Sequence, residues 1–67
     1  MRGPTDVVGE REIASRLSVQ PQTVHQWRQR GQLPEPDWTV SGQPAWDWDR
    51  LCHWARETRA PLRRWLP

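Results

Sequence analysis

The chain has 67 residues, of which 34% are hydrophobic and 27% charged, and ten arginines against eight acidic residues give a formal net charge of +2. A chain of this length forms one domain at most and buries only about 60% of its unfolded surface, so its core depends on large side chains such as its six tryptophans. No apolar run approaches the ~20 residues of a membrane helix and no signal-peptide core is found, so we expect a soluble, cytoplasmic protein.

The first predicted helix covers residues 10–17, Glu-Arg-Glu-Ile-Ala-Ser-Arg-Leu. Ile13, Ala14 and Leu17 recur at i, i+1 and i+4, so they share one apolar face. The small side chain of Ala14 is expected where a second helix crosses closely. Before this helix, residues 1–6 are predicted to be a flexible arm.

A short break precedes the second predicted helix, which begins at Pro21. Proline suits the first helical position, because its missing N–H is not needed there, and Gln20 is then a weak N-cap. Val19 is an apolar plug for the turn. Val24 and Trp27, spaced i, i+3, face back onto the first helix.

The outward surface of the second helix carries amides, a hydroxyl and cations. Its members are Gln22, Thr23, Gln26 and Gln29, with His25, Arg28 and Arg30 at the margins. Glutamine can bond adenine bidentately, threonine can contact a thymine methyl or a phosphate, and arginine can fork onto guanine or a phosphate. A helix face of this composition is also compatible with a simple solvated surface. With the turn and the small Ala14, the pattern favours contact with DNA.

A β-hairpin and a third helix are predicted after Gly31, which ends the second helix as its C-cap. Several prolines exclude helix here, and short strands at residues 38–40 and 44–46 flank a Ser-Gly-Gln turn. Asp47 is expected to cap the third helix, which Pro61 ends. One face of that helix is predicted to carry Leu51, Trp54, Ala55 and Thr58.

The sequence predicts a core position for three of the six tryptophans and leaves the position of the other three open. Trp27, Trp46 and Trp54 are predicted to lie in the core, whereas the other three could also serve a partner surface: Trp38, Trp48 and Trp65.

The sequence leaves three arrangements open for the C-terminal tail, residues 61–67. It folds back on the domain, packs on a second protomer, or places its arginines on DNA phosphates.

The sequence resembles the small winged helix-turn-helix proteins of the MerR and excisionase (AlpA-like) superfamily. The resemblance covers about residues 8–58. It rests on Ile13-Ala14-x-x-Leu17-x-Val19-x-x-x-Thr23-Val24-x-x-Trp27-x-x-x-Gly31-x-Leu33-Pro34, followed by Trp46 and by Leu51-x-x-Trp54-Ala55. It implies a mainly α fold with a short β-hairpin, the wing, which lies beside the recognition helix and contacts the minor groove or backbone.

The resemblance also assigns positions within the wing and the recognition helix. It places the wing at residues 37–46, with its tip at Ser41-Gly42-Gln43. The implied recognition positions are Gln20, Gln22, Thr23, Gln26 and Arg28.

Two positions depart from the pattern of that superfamily. Arginines are common in the second wing strand, but Pro44 and Ala45 stand there, which weakens the grip of the wing on phosphates. The wing then offers three polar side chains: Thr39, Ser41 and Gln43. An acidic residue is usual before the aliphatic residue of the third helix, whereas Arg50 precedes Leu51 here.

The predicted function is sequence-specific binding of double-stranded DNA by a small transcriptional regulator with a winged helix-turn-helix domain at residues 7–60. One alternative is an excisionase-like architectural factor that binds DNA cooperatively and self-associates there through the wing or the tail. Another is a tryptophan-rich protein-interaction adaptor. The predicted DNA-contacting residues are Arg16, Gln20, Gln22, Thr23, Gln26, Arg28, Arg30, Thr39, Ser41 and Gln43.

Catalytic, metal and cofactor chemistry finds no support in the sequence. There is no nucleophile with a base, no paired-carboxylate site and no glycine-rich phosphate loop, so we expect neither an enzyme nor a small-molecule ligand. The single cysteine, Cys52, excludes an intramolecular disulfide. Cys52 and His53 are adjacent helical residues that point about 100° apart, so no zinc site of ordinary spacing is expected.

Overall fold

The computed structural model describes residues 6–66, which form short strands and helices. The elements are strand β1 (Val7–Val8), helix α1 (Glu10–Leu17), helix α2 (Pro21–Gln29), strands β2 (Trp38–Val40) and β3 (Gln43–Asp47), helix α3 (Trp48–Thr58) and a C-terminal 3-10 helix (Pro61–Trp65). The strands form one antiparallel sheet in the order β1-β3-β2. The result is a small α+β domain, in which no helix of residues 6–66 is long and apolar enough to cross a membrane.

Helix α1 has the boundaries and the buried face that the periodicity predicts. Ile13, Ala14 and Leu17 are all buried, and α1 packs mainly against α2. The helix ends at Leu17, and its C-cap residue Ser18 has a left-handed φ of 57°. The N–H of Val19 donates to the carbonyl of Ala14 at 3.0 Å, and the N–H of Ser18 is shared between the carbonyls of Ala14 and Ser15, which closes the last turn of the helix.

The left-handed conformation of Ser18 gives a prediction about stability. A side chain there costs about 1–2 kcal/mol relative to the right-handed region, and glycine escapes this cost at the expense of some unfolded-state entropy. We expect Ser18→Gly to stabilise the domain by about 0.5–1 kcal/mol in urea unfolding. Ser15→Gly is the control, because this exposed residue lies inside α1 and glycine should destabilise it there. A lower stability for Ser18→Gly than for the wild type would contradict the left-handed conformation assigned to Ser18.

Helix α2 begins at Pro21 after the N-cap residue Gln20, as predicted, although the Gln20 side chain makes no capping hydrogen bond. Val24 and Trp27 are buried. The C-cap is Arg30 rather than Gly31, which follows it with a φ of 72°. This one-residue difference arises because the glycine occupies the left-handed position just after the cap.

Strand β1 is the element that the sequence does not predict. Val7 and Val8 pair with Asp47 and Trp46 of β3, which makes β3 the central strand. Asp6, predicted to be in the flexible arm, accepts a backbone hydrogen bond from Trp48 at 2.9 Å. The rest of that arm, residues 1–5, lies outside the described residues.

The hairpin of β2 and β3 turns over two residues. Ser41 and Gly42 both have positive φ, 51° and 79°, which is the geometry that suits the twist of a tight hairpin. Val40 pairs with Gln43 across the turn. Gln43 therefore begins β3, whereas the sequence predicted that it belongs to the tip.

The core gathers residues from every helix and from both ends of the described chain. Trp46 is fully buried, and its indole N–H donates to the carbonyl of Pro34 at 2.8 Å. Leu62 is equally buried in the same cluster, and Trp65 lies against Trp27 with ring centroids 5.5 Å apart. Of the three arrangements open for the tail, residues 61–66 adopt the fold-back.

The buried face of α3 differs from the predicted one at three positions. Cys52 is buried, whereas Thr58 is exposed and its hydroxyl donates to the carbonyl of Trp54 at 2.8 Å. Trp54 is only partly buried. The buried face of α3 is therefore rotated toward Cys52 relative to the predicted face. Asp47 is the N-cap residue, as expected, but its side chain makes no capping hydrogen bond.

Candidate nucleic-acid interface

Three glutamines form the polar surface of α2, which we define as Gln22, Gln26 and Gln29. All three are exposed, and at about 100° per residue they lie on the side of the helix opposite Val24 and Trp27. The N-cap residue Gln20 is exposed beside them, whereas Thr23 is only half-exposed at the margin. The helix phase thus brings together most of the side chains that the sequence predicts for base contacts.

Arg28 lies at the border of this surface beside a carboxylate from α1. Its guanidinium is 3.6 Å from Oε2 of Glu10, and Nδ1 of His25 is 3.5 Å from the same oxygen. This oxygen is buried and has no hydrogen-bond partner among the described residues. Glu10 therefore offsets part of the positive charge that Arg28 brings to the surface.

Arg16, predicted to contact DNA, has partners within the fold. Its two terminal nitrogens donate to the carboxylate of Asp6 at 2.7 and 2.8 Å, and its guanidinium lies 4.9 Å from the ring centre of Trp48. The hydrogen bonds from Arg16 lower the pKa of the Asp6 carboxyl from its usual value. These bonds use two of the five guanidinium donors, so Arg16 links α1 to the residue before β1 and, through Trp48, to α3.

The three hairpin residues predicted to contact DNA are all exposed: Thr39, Ser41 and Gln43. Asp37 holds the base of the hairpin against α3. Its carboxylate accepts the N–H of Asp47 at 2.9 Å and a hydrogen bond from the guanidinium of Arg50. Arg50, which departs from the superfamily pattern, thus makes a local ion pair with a residue of the hairpin.

Arg11 is a candidate contact residue that sequence reasoning missed. It is exposed on α1 and lines a cleft of about 430 Å³ together with Gly9, Glu10, Gln43 and Pro44. None of the described residues forms an ion pair with it. The pairing of β1 with β3 carries the start of α1 to the second hairpin strand, and residue spacing alone gives no sign of this proximity.

The adjacent Cys52 and His53 side chains lie in different environments. Burial raises the pKa of the Cys52 thiol, whereas His53 is exposed, and its Nε2 lies 3.0 Å from Oε1 of Glu57. Within residues 6–66, no group of three histidine, cysteine or acidic side chains could hold a metal ion.

Comparison with known proteins gives no relative for this arrangement. No protein-family model, curated protein or solved structure matches the chain. The geometry and charge of the side chains are therefore the basis for inferring a function.

Proposed function

We propose that this protein is a small winged helix-turn-helix regulator that binds double-stranded DNA sequence-specifically, with α2 in the major groove and the β2–β3 hairpin as the wing. The observation that carries the proposal is the α2 polar surface, which presents three exposed amides opposite a buried apolar face. No acidic residue occurs between Glu12 and Glu35, so the helix pair and its turn present no carboxylate of their own after the start of α1. Such a surface can approach phosphates without like-charge repulsion.

The spacing of the glutamines agrees with base reading. Gln22 and Gln26 are one helical turn apart, which separates them by about 6 Å along the axis. This length matches about two base-pair steps of B-DNA, so the two amides reach different base pairs of one site. Each amide can donate to and accept from an adenine in the major groove.

The hairpin supports the second contact of the proposal. Its tip, Ser41 and Gly42, projects backbone N–H groups and one hydroxyl, which suit a phosphate oxygen. Pro44 and Ala45 bring no charge to the strand, but Arg11 lines the same cleft as Gln43. We infer that Arg11 supplies the cation that the wing itself lacks.

Selection of duplexes from a random library, followed by anisotropy titrations of the selected site over a salt series, tests the proposal. We expect the selected duplex to bind about 10³-fold or more tightly than random duplex. The logarithm of affinity should fall linearly with the logarithm of salt, by about 0.9 per phosphate contact. Equal affinity for selected and random duplexes, or no binding at low salt, would contradict the proposal.

Glu10→Gln is expected to strengthen DNA binding. The substitution removes the carboxylate 3.6 Å from the Arg28 guanidinium and leaves that cation available to a phosphate. We expect a several-fold gain in affinity and a salt slope steeper by up to about 0.9. Glu57→Gln is the matched control, because it also removes one negative charge, from an exposed pair with His53 on α3. An equal gain from both variants would show that only net charge matters.

The exposed edge of the hairpin favours a second candidate, the excisionase-like factor that assembles on DNA. Trp38 and Val40 of the edge strand β2 are 43% and 54% exposed, and both lie on the wing. We expect a monomer in free solution that binds tandem sites cooperatively, with neighbouring protomers meeting at this edge.

Sedimentation of the free protein and Hill analysis on tandem sites measure this assembly. Val40→Ser should lower the cooperativity, whereas Val7→Ser, which changes a comparably exposed valine on the other edge strand, should not. A stable dimer at micromolar concentration, or independent binding to adjacent sites, would eliminate this candidate.

A further inference from the structure

The C-terminal segment forms a second basic surface outside the residues assigned so far. Its cleft of about 320 Å³, here called the C-terminal cleft, is lined by Arg59, Pro61, Arg63, Arg64 and Trp65. The three arginines are exposed, and among residues 6–66 no carboxylate lines the cleft. None of the three forms an ion pair with another residue of the described chain.

The cleft has a fixed position because the segment that carries two of its arginines is anchored on both sides. Leu62 is fully buried in the core, immediately before Arg63 and Arg64. Trp65 follows them, and its ring lies 5.5 Å from that of Trp27, which belongs to α2. The short 3-10 helix that carries the two arginines is held at both ends and packs against α3.

The positive charge of the C-terminal cleft favours the binding of an anionic partner. Like charges that share one small surface repel one another in the free protein, and none of the described residues that line the cleft carries a negative charge to offset this repulsion. Arginine presents a planar fork that matches the oxygens of a phosphate. Binding of a phosphate would remove the repulsion and add charge-assisted hydrogen bonds.

The contact between Trp65 and Trp27 points to duplex DNA as the source of that phosphate. At about 100° per residue, Trp27 lies at the edge of the buried face of α2 that borders Thr23, whereas Arg28 and its partner Glu10 lie at the other edge. The contact of Trp65 with Trp27 therefore brings the tail to the Thr23 side of α2, away from Glu10. A duplex seated on the α2 polar surface would extend past that side.

We propose that the C-terminal cleft binds the DNA backbone outside the base pairs read by α2, with Arg63 and Arg64 on phosphates of the flanking duplex. This inference rests on the proposed function. It predicts a footprint longer than α2 and the wing require, on the side of the site that faces the tail.

The test compares the wild type with Arg63→Gln/Arg64→Gln on the selected site, with and without flanking base pairs. With flanks, we expect the double variant to lose about tenfold or more in affinity at 0.1 M salt and its salt slope to fall by about 2. Without flanks, it should bind like the wild type. Arg63→Lys/Arg64→Lys is the matched control, because it keeps both charges and should keep the slope. Both side chains are exposed, so thermal melting followed by tryptophan fluorescence should show all variants folded.

The outcomes separate this inference from the proposed function. An unchanged salt slope for Arg63→Gln/Arg64→Gln, while Gln22→Ala still relaxes base preference, would overturn the inference and leave the proposed function standing. An unchanged salt slope for this double variant, together with binding to phosphatidylserine vesicles that requires Arg63 and Arg64, would overturn the inference in favour of a membrane surface. An equal loss on both duplexes would overturn the flanking position. If the wild type binds no duplex at all, both proposals fail.

Discussion

Replacing Trp46 with alanine is expected to unfold most of the protein at room temperature. Trp46 is fully buried on the central strand, and truncation of a core tryptophan costs about 3–5 kcal/mol. The carbonyl of Pro34 would also lose the indole N–H that it accepts at 2.8 Å, and an unsatisfied buried acceptor costs about 1–3 kcal/mol more. A domain of this size has a total stability of only about 3–10 kcal/mol.

Circular dichroism in a thermal and a urea series measures this effect. Trp38→Ala is the matched control, since Trp38 lies on the neighbouring strand but is 43% exposed, and its melting midpoint should change by only a few degrees. A cooperative transition near the wild-type midpoint for Trp46→Ala would show that the sheet does not depend on this side chain.

The helices could be predicted from the sequence because each one carries a periodic signal. Ile13, Ala14 and Leu17 repeat with the helical period, and Pro21 and Gly31 mark the two ends of α2. Strand β1 could not be predicted, because two residues are too few to show the alternation of a strand. Its existence depends on pairing with β3, almost forty residues later in the chain.

The candidate site was predictable where it depends on the phase of one helix. Gln22 and Gln26 must face away from Val24 and Trp27 whatever the rest of the chain does. The contacts of the charged residues depend instead on tertiary neighbours, so the spacing of these residues in the sequence does not predict their roles. Arg16 pairs with Asp6, ten positions away, which is why a sequence-based assignment to DNA overlooked its structural role.

The order of the sheet explains why Arg11 was also missed. With β1 paired to β3, the first residues of α1 lie beside the hairpin, and Arg11 comes to line a cleft with Gln43. At the other end, burial of Leu62 decides that the tail returns to the domain. Both arrangements follow from long-range packing, which local propensity does not encode.

Gln22→Ala and Gln26→Ala are expected to weaken binding to the selected DNA site by about 1–3 kcal/mol each and to relax the preference for one base pair each. Both side chains are exposed on α2, so the loss comes from the missing amide contacts and the melting midpoint should stay close to that of the wild type. Because the two residues are one turn apart, each substitution should broaden the preference at a different position of the site. Repeating the library selection with each variant measures this directly.

Gln43→Ala is the matched control for the two helix variants, because it removes the same amide from an exposed position on the hairpin. A backbone contact there should lower the affinity for all sequences alike and leave the selected bases unchanged. The contrast separates base reading by α2 from positioning by the wing. If Gln22→Ala and Gln26→Ala select the same bases with the same affinity as the wild type, α2 does not read the major groove.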